Sequence, residues 1–153
     1  MSGAHTGPAR ILAGAVHPAL IATAVEDVPD AGCWDLLAGA HVGRLAVIGA
    51  DGRPDIFPMD YLVSDRHLFL RTAPGLKLRH LARNPFVAFE AEGDADGFRW
   101  SVVVRGAARR LDRDDEIEAS GVLDLRSTSP TGKYDYLEIT PDAVTGRRFR
   151  PQR

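Results

Sequence analysis

The chain has 153 residues, 44% of them hydrophobic and 26% charged, with a formal net charge of -2. That balance fits one globular domain with a substantial core and excludes a fibrous or disordered chain. The slightly acidic balance argues against a dedicated nucleic-acid binder, and the single cysteine, Cys33, excludes an internal disulfide and favours a reducing, cytoplasmic setting.

The first apolar run, 11–25, is broken at His17-Pro18 and falls short of the roughly 20 apolar residues of a membrane span. Ala22-Thr23-Ala24 imitates a cleavage pattern without the apolar centre of a signal peptide. Residues 1–25 therefore read as an N-terminal extension that packs on the body or on a partner subunit, ahead of a domain over 26–153. Asp30 as a cap, followed by Cys33, Trp34 and Leu37 at three-to-four spacing, predicts a helix over 30–40. Cys33 reads as a small core residue.

The β-forming run 43–48, the turn Ala50-Asp51-Gly52 and a strand over 53–63 then predict a hairpin. Pro54 and Pro58 cannot donate to a ladder, so Pro58 marks a bulge or an edge. Ser64-Asp65-Arg66 turns the chain into a strand over 67–72, and Pro74-Gly75 opens a short basic helix carrying Lys77, Arg79, His80 and Arg83. The helix stops at Asn84-Pro85.

The next strand spans 86–92 by alternation, a polar loop follows over 93–97, and the longest strand spans 98–111. An acidic surface helix over 112–120, a loop over 123–133 and a closing hairpin (134–139, a turn at 140–142, then 143–149) complete the chain. Six or seven strands with turn signals this close predict a mainly β, antiparallel barrel rather than a parallel dinucleotide fold.

The five histidines show no metal-ligand spacing with one another or with Cys33. No nucleophile elbow, Walker loop or Rossmann fingerprint occurs, and Asp94 with Asp96 reads as a solvated loop. One stretch, 67–83, does suggest chemistry. Arg71 and Thr72 at a strand end, with Lys77 and Arg79 on the helix that follows, offer a phosphate two or three cations, a hydroxyl and helix N-terminal amides. The same residues equally suit a solvated face on an ordinary strand-turn-helix.

Seven segments occur in one order: Val42-Gly43-Arg44-Leu45-Ala46, Phe57-Pro58-Met59-Asp60-Tyr61, Leu68-Phe69-Leu70-Arg71-Thr72, Gly75-Leu76-Lys77-Leu78, Pro85-Phe86-Val87-Ala88-Phe89-Glu90, Trp100-Ser101-Val102-Val103-Val104-Arg105-Gly106 and Thr145-Gly146-Arg147-Arg148. Together they resemble the pyridoxamine-phosphate-oxidase-like flavin-binding proteins, in their actinobacterial branch, over about 30–149. The resemblance implies a six-stranded FMN-binding split barrel that forms a homodimer with two FMN sites between subunits. It implies that Arg71, Thr72 and Lys77, with Leu76 beside them, hold the phosphate. Pro58, Met59, Asp60 and Tyr61 would lay main chain along the flavin's polar edge, and Trp100 and Ser101 would line the site bound mainly by the other subunit.

Against this, Trp100 also suits a core position, Tyr61 suits packing, and an acidic Asp60 would repel an anionic flavin edge unless it points elsewhere. His80 and Arg83 read as surface charges. The C-terminal substrate motif of true pyridoxamine phosphate oxidases is absent, so vitamin B6 oxidation is not expected. Lys133-Tyr134-Asp135-Tyr136 lacks the tryptophan and histidine of many relatives. The expected function is an FMN-dependent oxidoreductase passing electrons from a reductant such as NAD(P)H to a small organic substrate. The same fold with a deazaflavin or haem, a non-catalytic flavin carrier or redox sensor, and a cofactor-free interaction module stay open as alternatives.

Overall fold

The computed structural model describes residues 24–125 and 135–152. The expected extension over 1–25 lies outside these except for its last two residues, as does most of the expected loop over 123–133, together with Tyr134. The elements are β1 (Glu26–Val28), α1 (Asp30–Ala38), β2 (Val42–Ile48), β3 (Pro54–Ser64), β4 (His67–Thr72), α2 (Leu76–Arg83), β5 (Phe86–Ala95), β6 (Phe98–Arg110), α3 (Asp114–Ser120), a 3-10 turn (Val122–Asp124) and β7 (Asp135–Phe149).

All strand pairings are antiparallel in the order β1-β7-β4-β3-β2-β5-β6, and β6 pairs again with β7. Strands β2 to β7 thus close into a six-stranded split barrel, with β1 laid on the far side of β7. The inward row of β6, Trp100, Val102 and Val104, meets Leu45, Val47, Phe89, Ala91, Leu68 and Leu70 in one core, as period-two alternation requires. Helix α1 adds Cys33, Trp34 and Leu37 to it. Cys33 is fully buried, and burial, reinforced by the nearby Asp30 carboxylate, pushes its thiol pKa up.

Local chemistry sets the turns. Asp65 and Arg66 both take positive φ, 49° and 57°, in the two-residue β3–β4 hairpin, where the right-handed strand twist favours that conformation. Four expectations change. The residue capping α1 is Pro29, and Asp30 instead sits in the first turn, 2.9 Å from Arg66 in an exposed ion pair. The expected loop 93–97 is strand up to Ala95, with the turn confined to Asp96 and Gly97. Gly93 had suggested a break, but it leaves room for the Trp100 ring, whose nearest atom lies 2.9 Å from where a Cβ would stand.

The closing hairpin is one continuous strand, β7, paired with β6 along its length. Pro141 makes a bulge there rather than a turn, since Gly106 faces Pro141 and Arg105 faces Ala143, leaving Asp142 as the extra residue. His80 is buried instead of lying on the surface, because α2 turns it onto the barrel end.

The bulge depends on Gly106. A Cβ there would overlap the Thr140 carbonyl oxygen and lie 2.9 Å from Pro141 Cα, both backbone atoms that cannot swing aside. Gly106→Ala is expected to destabilise the fold by about 2–3 kcal/mol in urea unfolding. Gly75→Ala, with nothing within 4 Å of the new Cβ, should stay within about 0.5 kcal/mol of the parent. Equal midpoints for the two variants would show that the bulge tolerates a side chain.

Candidate functional site

Strand β4 is shorter than β3 and covers only part of it. Tyr61 to Ser64 pair with β4, whereas Pro54 to Asp60 pair with β2 alone. Among the described residues no strand lies along the outer edge of Pro54–Asp60. This bears out the edge reading of Pro58, and the unbroken β2–β3 register rules out a bulge there.

The hydrogen-bond phase follows from the two ends of the pairing. Gly49 N–H donates to the Arg53 carbonyl at 2.7 Å, and Tyr61 N–H donates to the His41 carbonyl at 3.0 Å. Alternation along an antiparallel pair then directs residues 53, 55, 57, 59 and 61 toward β2. Pro54, Ile56, Pro58 and Asp60 turn their main-chain groups the other way. Two of these four are prolines, so the edge is rich in carbonyls and poor in donors, with the Ile56 N–H among its few donors.

The expected site residues fall into three groups. Pro58 and Leu76 are exposed, Lys77 is half-buried at the start of α2, and Arg71 is half-buried at the end of β4. Lys77 Nζ sits 4.7 Å over the Phe57 ring. Arg71 Nη1 donates to the Leu125 carbonyl at 3.5 Å. Leu125, Asp60, Leu62, His41 and Asp124 line a cavity of about 400 Å³ on the outer face of β2 and β3. Arg71 and Asp60 are thereby brought to one side of the barrel through Leu125.

A second group points inward. Met59, Tyr61 and Trp100 belong to the core, and Thr72, only 1% exposed, donates its hydroxyl to the Ala73 carbonyl at 3.2 Å. Tyr61 donates its hydroxyl to the Leu37 carbonyl at 2.6 Å and meets Phe89 edge-on with ring centroids 4.9 Å apart. Met59 and Tyr61 therefore turn their side chains to the core and their main chain to β2, so of the expected segment only Pro58 and Asp60 present main chain at the open edge. Ser101 forms the third group. It lies next to Trp100 on β6 and faces the opposite side of the sheet, in a separate cleft of about 550 Å³ with Asp27, Val103, Thr145 and Arg147.

Sequence reasoning missed Phe57, which carries Lys77, and the contact of His80 with Asp55, whose Nε2 and Oδ2 atoms are 3.2 Å apart. The only signal for the latter was the three-residue spacing of Lys77 and His80. Among the described residues no group of three or more His, Cys, Asp or Glu side chains forms a metal site, and no helix is long and apolar enough to cross a membrane.

The geometry defines a split-barrel protein with a half-paired main-chain edge on β3. The chain belongs to the pyridoxamine 5'-phosphate oxidase family, whose model matches residues 29–148. It is similar to a candidate pyridoxamine 5'-phosphate oxidase of Corynebacterium glutamicum, at 34% identity over 84% of this chain and 96% of that one, with a TM-score of 0.72. It also resembles an FAD-binding protein of Mycobacterium smegmatis, at 34% identity over 81% and 98% of the two chains and a TM-score of 0.67. An FAD-binding protein of Mesorhizobium loti is 27% identical over 81% and 97%, with a TM-score of 0.71.

Tyr61 gives this region a pH signature. Burial, with a smaller contribution from the Glu90 charge, raises its phenol above the ordinary value. Above pH ~10 the unfolded chain gives up this proton while the native state keeps it, so the contribution to stability is complete below pH ~10 and is lost as pH rises further. Tyr61→Phe should cost about 0.5–1.5 kcal/mol at pH 7, because the Leu37 carbonyl loses the Tyr61 hydroxyl and keeps the Ala40 N–H at 3.3 Å. It should also flatten the alkaline fall in unfolding free energy, whereas an unchanged alkaline slope would place the titration elsewhere.

Proposed function

We propose that this protein is a homodimeric flavin oxidoreductase that lays a flavin nucleotide along the open edge of β3, with its phosphate at Arg71, Lys77 and the first turn of α2. The observation that carries this reading is the half-paired strand with two basic side chains beside it. A flavin's polar edge presents acceptors and donors to main chain, which the segment 56–60 supplies without help from particular side chains. Gly75, the residue before α2, makes no side-chain cap, and helix N-terminal amides together with cations suit a phosphate. Arg71 and Lys77 then hold the charge, Leu76 gives an exposed apolar contact, and Thr72 shapes the turn through its bond to Ala73.

The bound flavin would supply two-electron transfer between a reductant such as NAD(P)H and a small organic substrate. FMN meets the requirement with one phosphate. FAD is the second reading, favoured by the two FAD-binding relatives, and its first phosphate would use the same cations.

The second subunit would dock on the outer face of β2, β3 and β5. Ile56, Phe86 and Val42 are 66%, 65% and 51% exposed there, and Ala46, Ala88 and Ile56 line an apolar groove of about 350 Å³. Arg44 pairs with Glu90 at 3.0 Å and with Glu92 at 3.4 Å on the same face. A face carrying both charges around an apolar centre can complement its own copy across a twofold axis. The face adjoins the β3 edge, so the partner would complete the flavin site, with Ser101 contributed from its β6 cleft.

Two measurements test the reading. In calorimetric titration FMN or FAD should bind far more tightly than riboflavin, and Lys77→Ala should weaken FMN by about 1.5–3 kcal/mol while leaving riboflavin nearly unaffected. Riboflavin binding the parent protein as tightly as FMN would remove the phosphate assignment. By light scattering the parent should run at twice its 16.6 kDa chain mass, and Ile56→Glu should run as a monomer that binds FMN weakly. A dimer unaffected by Ile56→Glu would place the interface on another face.

A further inference from the structure

Helix α2 meets the open half of β3 at two points. Lys77 lies over Phe57 at 4.7 Å, and His80 Nε2 lies 3.2 Å from Asp55 Oδ2. On the helix the two residues are three apart and share a face; on the strand their partners are two apart and share a face. One helical turn is thus matched against one pleat repeat, and the match sets how far along β3 the helix sits.

His80 is only 6% exposed. Although its Nε2 is close to the Asp55 carboxylate, it makes no aligned hydrogen bond to it or to any other group. A buried imidazole nitrogen in that state costs stability that an apolar side chain of similar size would not. Packing alone therefore does not account for a histidine here. The helix packs on β2 and β6, whose buried residues, Leu45, Val47 and Ala108 among them, carry no charge. Asp51 in the β2–β3 turn accepts from Arg53 N–H at 3.0 Å. Asp55 is the carboxylate that His80 meets.

Resting on the flavin reading above, we propose that His80 is a positioning residue: with Asp55 it fixes the height of α2 along β3 and so aims Lys77 at the cofactor phosphate. A small rotation of the imidazole aligns Nε2–H with the carboxylate, an arrangement the ligand-free protein samples and ligand entry at Lys77 favours further. The effect is specific to phosphate-bearing ligands, because riboflavin uses the β3 edge without calling on Lys77.

Equilibrium dissociation constants for FMN and riboflavin, measured on the full chain by flavin fluorescence, test this. His80→Leu and Asp55→Asn should each weaken FMN about five- to tenfold with riboflavin unchanged within about twofold. His80→Gln, which keeps an N–H donor, should recover most of the loss. FMN affinity equal to the parent's in a folded His80→Leu protein overturns the proposal, as does an equal loss for both ligands, which marks a packing role. Asp55 is half exposed, so Asp55→Asn keeps the test open should His80→Leu fail to fold.

Amide exchange without ligand separates this proposal from the flavin reading. Faster exchange from Arg79 to Asn84 in Asp55→Asn supports the clasp even if the parent binds FMN no better than riboflavin, and unchanged exchange there overturns it.

Discussion

Strand β4 is too short to cover β3, and the character of the molecule follows from that mismatch. Six residues face eleven. The Ala73-Pro74-Gly75 segment ends β4 after Thr72, and the chain leaves the sheet to form α2 across the barrel end. The first part of β3 keeps one neighbour, and its main-chain polar groups need satisfaction from something other than a strand. Pro54 and Pro58 lower the number of donors on that edge and make it a poor template for adding another strand. An edge that resists strand pairing while offering carbonyls and an amide to a planar polar ligand is suited to recognition.

Barrel closure divides the work between side chains and backbone. Closing six strands around a core requires large inward residues, and Met59, Tyr61, Phe89 and Trp100 fill that space. The Tyr61 hydroxyl is tied to the carbonyl of Leu37 on α1, so the helix and the strand that bears the open edge are held to each other. In the proposed reading, specificity falls to the outer pleat and to Arg71 and Lys77. The segment Pro58-Met59-Asp60-Tyr61 accordingly alternates residue by residue between core-facing Met59 and Tyr61 and outward-facing Pro58 and Asp60.

Much of this was legible in the sequence wherever a strict period or a turn residue controlled the outcome. The alternation of Trp100, Val102 and Val104, the Asp65-Arg66 turn and the Asn84-Pro85 stop each specify local backbone, and they delimit the strands around the candidate site. The closure of the strands into a split barrel became readable only from the ordered set of motifs, and their order only from the structure. The misreadings share one cause. Gly93 and Pro141 look like breaks in a one-dimensional pattern, yet each answers a neighbour across the sheet: the Trp100 ring in one case and the Gly106 backbone in the other. His80 looked like a surface cation for the same reason, since nothing local reveals that α2 presses it against the barrel beside Asp55. Side-chain direction at Trp100 followed the simple alternation more closely than the motif resemblance.

Hydrogen exchange at the Ile56 amide, with and without saturating FMN, tests most directly whether the open edge of β3 receives the flavin. The N–H of Ile56 points away from β2 toward that edge, so FMN should slow its exchange well beyond any change at Phe57, whose N–H is already engaged by β2. An Ile56 amide that exchanges at the same rate when FMN is bound would contradict the claim and place the cofactor elsewhere on the barrel.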